Sequence, residues 1–597
     1  MFSIFLKRSF LASFFLFYAN LLSAAVGEFS HQDINIFSKL LHIKNKMHVI
    51  QDPNLFAFSQ TLNIQEELSA SIKVVKKNDE ITRRFICKFP ARAFWINKRF
   101  GNGENIKFTH CSQLNEYLKA VDAKSISLVY ASENLVSPSS FMGHSFLKLN
   151  GYHNQEHSVS YFTQVDTINI PKLMYESIVE GKEGFFIVAP FQEVMEQYGA
   201  VEARNIYEYK LDLTEEEIEL IVLHLWELKD LKIDYFFHKH NCATISLDIL
   251  GVAKTRVTRP IDEWLSPIDI VKIVNEADLV TESTVTPSLD WQVKAFGQNI
   301  PIDIKYEINE AVESGNLLKL EHQSDFDNIA RLYADVVNKH FYQSGAINQS
   351  FWRNNQTVIS TWDFNLDTAE IDVSKFKNPL NRLKDSQVAM SFHTNNSSPY
   401  TTFSWLPASH TINDDNRHAF SESSLSILAT QLFLDRNRVK IDQLTLYGIE
   451  QYIPYDSVTN SLSGGFSIQY SGFDAISYKT ENVFSVLGHI GVSSKFHASL
   501  QLYSTIGAKI ASDIKTIWAE PMFQIGSFIY LKGGNKLIMY AQAEYNYQNT
   551  SDFRYLFDVK NNYSLSSQAS LIFGWRHIVA GNLSNVDEFS LGFTYYY

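Results

Sequence analysis

From about residue 386 onward the apolar residues of this chain recur at every second position, over stretches longer than most soluble strands. In 496–510, Phe496, Ala498, Leu500, Leu502, Ile506, Ala508 and Ile510 alternate with His497, Ser499, Gln501, Thr505, Gly507 and Lys509. In 537–547, Leu537, Met539, Ala541, Ala543, Tyr545 and Tyr547 stand opposite a face carrying Gln542, Glu544 and Asn546. The stretches 462–470 and 563–575 repeat the pattern, and Lys532-Gly533-Gly534-Asn535 reads as a hairpin turn. A soluble sandwich also alternates, but its outward faces are polar. Here one face stays apolar, aromatics gather near strand ends, and small polar residues lie opposite. That pattern predicts an antiparallel barrel with lipid outside and a polar lumen inside. A tilted strand crosses a bilayer in roughly 9–11 residues. About 212 residues at roughly 18 per strand then give on the order of 12 strands. The alternative is a soluble β-domain.

The N-terminus supplies the compartment. Lys7 and Arg8 precede a short apolar run, Ser9 to Leu22, and Ser23-Ala24-Ala25 offers a small-residue cleavage site. Residues 1–25 therefore read as a secretory signal, with the mature chain beginning near Val26. The run is shorter than the ~20 residues of a spanning helix, the competing reading. The last strand, Phe589, Leu591, Phe593, Tyr595 and Tyr597 on one face, resembles the C-terminal signal of bacterial outer-membrane barrels. With 52 Lys+Arg against 65 Asp+Glu the chain carries a net charge of −13, which argues against nucleic acid as a partner. Nothing in the sequence calls for a cofactor.

Between these ends the periodicity is mixed. Residues 26–120 read as mainly helical, with 62–77 an amphipathic helix. Residues 125–130, 145–149 and 157–164 read as strands. Residues 214–230 read as a helix opened by a Thr214/Glu217 capping box, and a further helix opens at Cys242 and ends at Gly251. Strands and helices mixed in this way predict an α+β domain over 121–285. Residues 286–385 form a mixed connecting region, and 386–597 the barrel.

Three cysteines exclude a disulfide-dense scaffold, and there is no CxxC pair. Cys242 is the candidate nucleophile, because a thiol at a helix N-terminus feels the positive end of the macrodipole. His144, entered through Gly143 and starting the strand Ser145–Leu149, is the candidate base. The competing reading is a buried small hydrophobe and a structural histidine. His238, His240 and Cys242 could also be read as metal ligands, but no fourth ligand is visible. Glu202 and Arg204 read as an ion pair on the domain surface.

Three motifs, SPSSFMGHSFLKL, RNIYEYKLDLTEEEIELIVLHLWEL and YFFHKHNCATISLDIL, together with CKFPARAFWI upstream, resemble the family of the Lnb N-terminal periplasmic domain over roughly 85–285. That family resembles circularly permuted papain-like thiol hydrolases of the NlpC type, in which His precedes Cys, as here. The resemblance implies an α+β papain-like fold, with Cys242 and His144 at the family positions and Asn241 as an oxyanion or positioning residue. Gln164, in Ser160-Tyr161-Phe162-Thr163-Gln164, matches the family's polar orienting residue with Gln in place of Asn, and His157 is its rival. Cys87 and Cys111 then read as a disulfide worth about 3 kcal/mol, against the alternative of two free thiols.

These readings converge on a Gram-negative envelope protein, a periplasmic thiol hydrolase or acyltransferase held by an outer-membrane barrel. Outer-membrane lipid would be a partner, and peptidoglycan, a lipoprotein or a lipid the substrate. The alternative is a non-catalytic anchor, assembly factor or channel.

Overall fold

The computed structural model describes residues 29–597 apart from 45–46, 60–62, 78, 102–105, 134–141, 153–154, 165–168, 258–263, 318–326, 363–376, 396–398, 409, 420, 436–437, 475–478, 498, 514, 547–551 and 581–584. The signal segment 1–25 and Ser139, Ser140 and Phe141 lie outside the described residues. The chain divides into two compact units.

The first unit comprises residues up to Ala120 together with Glu216–Ile233 and Asp248–Arg256. It is helical apart from a small ribbon of β1 (Ile43–Lys44) and β2 (Met47–His48). The 214–230 helix, placed above in the α+β domain, forms over Glu215–Leu228 and belongs almost wholly to this unit. Its core holds a charge. Arg92 is fully buried, pairs with Glu227 at 3.0 Å and Glu67 at 3.7 Å, and donates to the Leu55 carbonyl at 2.6 Å. Glu67 in turn accepts the backbone N–H groups of Ala57, Phe58 and Ser59. A guanidinium so enclosed is tolerable only because its partners are fixed. Cys87 and Cys111 are joined in a disulfide with a Cα–Cα distance of 5.3 Å, and Cys242 is the free thiol.

The second unit holds a seven-stranded sheet and a closed barrel. The sheet strands are β3 (Ala123–Ala131), β4 (His144–Gly151), β5 (Glu156–Thr163), β6 (Lys182–Pro190), β7 (Ile206–Leu211), β8 (Ile233–Tyr235) and β9 (Val280–Thr286), in the order β8-β6-β5-β4-β3-β7-β9. Phe191, Val194, Met195 and Tyr198 cover Val129 and Phe146 on one face. The Pro267–Glu276 helix packs on β3 and β4. The described residues of 286–385, read only as mixed, include the α-helices Leu289–Gly297, Ile302–Ser314, Asp327–Gln343 and Gln349–Ser360, around a core of Val293, Val312, Tyr333 and Val337.

The barrel strands are β10 (Gln387–Asn395), β11 (Tyr400–Leu406), β12 (Glu422–Asp435), β13 (Arg438–Tyr452), β14 (Ser463–Asp474), β15 (Lys479–His497), β16 (Leu500–Ser512), β17 (Ile517–Tyr530), β18 (Asn535–Asn546), β19 (Asp552–Ser566), β20 (Ala569–Ala580) and β21 (Val586–Tyr596). They form twelve antiparallel neighbours, with β21 closing on β10. The burial is inside-out. Phe589, Leu591, Phe593 and Tyr595 face outward and are exposed, whereas Glu588, Thr594 and Tyr596 are buried in the lumen. Ile490, Ile506 and Phe523, paired across β15, β16 and β17, form one outward row, and Gln501, Thr505 and Gln524 point inward. Water would not tolerate so large a continuous apolar belt; lipid requires it. The 496–510 run is two strands rather than one, because the chain turns between His497 and Leu500. The Lys532–Asn535 turn is a hairpin, with Gly533 and Gly534 at φ of 73° and 79°, a region side chains disfavour.

The connections are unequal. At the end shared by the start of β10 and the end of β21, the long segments 407–421 and 453–462 join strands; at the other end none exceeds 547–551 or 581–585. Residues 407–421 fold into the lumen. Lys536, almost wholly buried, donates to the carbonyls of Ile412 (2.6 Å) and Asp414 (2.8 Å), Asn562 to that of Asn413 (2.6 Å), and Tyr596 to the Asp414 carboxylate (2.8 Å).

Candidate active site

Cys242 opens the Cys242–Ala253 helix, and the residue before it explains why the helix starts there. The Asn241 carboxamide accepts the Thr244 N–H at 2.9 Å, and the Thr244 hydroxyl accepts the Asn241 N–H at 2.9 Å, a reciprocal cap. The same carboxamide donates to the carbonyls of Phe237 (2.9 Å) and Leu265 (2.8 Å). Both of its N–H groups are therefore engaged in holding the loop, so Asn241 sets the position of Cys242 and has no donor left over for a reacting oxygen.

The thiol is 3% exposed. Burial pushes it up from its usual pKa, against the downward pull of the N–H and hydroxyl of Ser145, the N–H of Ala243 and the Tyr235 hydroxyl. The N–H groups of Ala243, in the first turn of the helix, and of Ser145, on β4, thus lie near the sulfur. The Ser145 hydroxyl has no partner at hydrogen-bond distance, so its contact with the sulfur is a loose one. Tyr235 stacks on Tyr161 at 5.5 Å between ring centres.

His144 begins β4 opposite Ala131. The preceding Gly143 has φ +77°, and a Cβ there would lie 2.6 Å from the Tyr130 ring and 2.7 Å from the Ala131 carbonyl, so only glycine admits this entry. Adjacent strand residues point to opposite faces. Ser145 turns toward Cys242, and His144 turns to the other face, beside Phe146 and Tyr198 at 5.9 Å each. Burial, with the nearby Arg204 guanidinium, pushes the imidazole pKa down to about 3, so it is neutral. No hydrogen bond joins it to the thiol.

The orienting residues also differ from expectation. The β4–β5 register, carried to its end, sets His144 opposite Phe162, so Gln164 shares its face; yet Gln164 is exposed beyond β5 and makes no hydrogen bond to His144. His157 lies opposite Leu149, far along the strand and on the other face. What touches His144 is Tyr198, which sits under the Arg204 guanidinium at 5.0 Å. Arg204 pairs with Glu202 as read, but it is buried rather than on the surface. Sequence reasoning missed Ser145, Tyr198 and Tyr235. Ser145 and Tyr235 stood within the motifs already quoted.

The surroundings of the site give it an address. Leu425, Ile427 and Tyr447 lie on the outward face of β12 and β13, alternating with Ser424, Ser426 and Thr445, which line a 680 Å³ lumen cavity. They are nonetheless buried, because Met142, Met174 and Trp264 pack on them. Met142 is two residues before His144, and Trp264 precedes the Leu265 carbonyl that Asn241 holds.

Fold and site together define a barrel protein of the outer membrane carrying an α+β domain at one end. Residues 113–277 match the family model described as the Lnb N-terminal periplasmic domain, and the chain carries that domain. Residues 32–99 and 378–596 each match a domain of unknown function (DUF7843 and DUF7840). The protein thus resides in the envelope of a Gram-negative bacterium, with the α+β domain in the periplasm. No curated protein shows significant similarity. Among solved structures the barrel is similar to the KdgM porin (8% identity, 35% of this chain and 99% of that one, TM-score 0.23). An outer membrane channel from Pseudomonas putida F1 is also similar (10% identity, 38% and 100%, TM-score 0.26).

Proposed function

We propose that the periplasmic domain is a thiol acyl-transfer enzyme, a hydrolase or acyltransferase, acting on an ester or amide carried by an envelope component. The observation that supports it best is a buried free thiol at a helix start, with the Ser145 and Ala243 N–H groups near it and a histidine at the start of the neighbouring strand. In the reaction His144 takes the Cys242 proton and the thiolate attacks the acyl carbonyl. The C–O or C–N bond then breaks, the leaving group takes the proton back from His144, and the thioester passes its acyl group to water or an amine. The two N–H groups stabilise the oxyanion. For this the imidazole must come within hydrogen-bond reach of the sulfur. Packing of Met142 and Trp264 on the lipid-facing wall favours a lipid-borne acyl group over peptidoglycan.

The test is to incubate full-length protein in detergent micelles with phospholipid, and to read the intact mass. A hydroxylamine-sensitive acyl adduct absent from Cys242→Ala and lost in His144→Ala supports the reading. Unmodified Cys242 with envelope function intact in Cys242→Ala sinks it. A non-catalytic anchor or plugged channel is then the better account, and the missing thiol–imidazole hydrogen bond and the 407–421 segment inside the lumen favour that second reading.

A further inference from the structure

The helical segment 170–180 runs beside the barrel and divides into faces. Leu173 and Ser177 are buried, and the Ser177 carbonyl accepts the Phe237 N–H at 3.0 Å. Met174 packs on the outward wall of β12 and β13. Tyr175 and Val179, one turn apart on the remaining side, are 55% and 61% exposed. An exposed Tyr–Val pair next to a methionine on a polar aqueous surface has no evident role. Its position supplies one. Met174 packs on the cluster of Leu425, Ile427 and Tyr447, and Leu425 lies three residues into β12 from the periplasmic end, which sets Met174 against the outside of the barrel near that end. Lys172, three residues before Tyr175, is 61% exposed along its side chain and pairs with Glu176 at 3.4 Å.

We propose that segment 170–180 is a membrane-docking element, with Tyr175 and Val179 inserted into the inner leaflet of the bilayer that the barrel spans. The contact is continuous with the Met174–barrel packing and independent of the thiol chemistry. It holds the periplasmic domain on the lipid surface.

The test uses the full chain in phospholipid nanodiscs, in a Cys242→Ala background, with spin labels at Tyr175→Cys or Val179→Cys. Ile490→Cys on the outward barrel wall is the lipid control, and Lys210→Cys on β7 is the water control. The expected result is an oxygen-to-nickel-chelate accessibility ratio at 175 and 179 several-fold above that at 210 and close to that at 490. A ratio matching 210 means water, and low accessibility to both relaxers means a protein cover; either overturns the proposal.

Discussion

The carboxamide of Asn241 holds the carbonyl of Leu265 at 2.8 Å, and so fastens the helix bearing Cys242 to the segment whose Trp264 leans on the barrel. Asn241→Ala removes a cap and two buried hydrogen bonds. The expected loss is about 2–4 kcal/mol, read as earlier unfolding of the periplasmic domain by tryptophan fluorescence. Asn241→Asp keeps the acceptor for Thr244 but sets a buried carboxylate oxygen against the Phe237 and Leu265 carbonyls, so it should lose at least as much.

Because burial raises the Cys242 pKa, the thiolate is scarce at neutral pH. Iodoacetamide should label the resting protein slowly at pH 7 and about tenfold faster per pH unit above it. Fast labelling below pH 7 would show an activated thiol that this arrangement does not provide.

His144 carries the opposite sign in stability. Its folded pKa, about 3, lies below its ordinary 6.5, so the stability it allows is complete above 6.5 and drains away as pH falls toward 3. The ring keeps some solvent contact, so the slope should stay under about 1.4 kcal/mol per pH unit. Denaturation between pH 7 and 4 should show the slope in the parent and its reduction in His144→Gln.

In the first unit, Glu227→Gln leaves Arg92 buried with a weakened partner. The loss should be about 3–5 kcal/mol for Glu227→Ala and smaller for Gln, measured by chemical unfolding with the Cys87–Cys111 bridge intact.

Ile506 stands in the outward row between Ile490 and Phe523. Ile506→Arg should cost about 2–4 kcal/mol of barrel stability, seen as loss of heat-modifiable migration on gels. Thr505→Ala, turned to the lumen, should leave that migration unchanged.

The barrel was legible because its signal is repetitive: alternation over many strands, a Gly-Gly hairpin and an aromatic last strand. Twelve strands followed from length alone. The 496–510 run misled by one turn, since Phe496 and Leu502 keep the same outward parity on either side of it. The residues of the site were legible as motifs, but their geometry was not. Whether His144 faces Cys242 depends on the strand parity at which β4 begins, and a single position sends imidazole and sulfur to opposite faces. The barrel-wall contact had no sequence signal, because Met142, Met174 and Trp264 look like ordinary apolar residues until Leu425 and Tyr447 are seen beneath them.

The unequal connections of the barrel bear on how the cell is seen from outside. Its two long connections, 407–421 and 453–462, both leave the barrel at the periplasmic end, and no connection at the outward rim is longer than five residues. A phage tail or an antibody would find few handles there. Connections of so few residues leave selection from outside the cell little length of chain to vary.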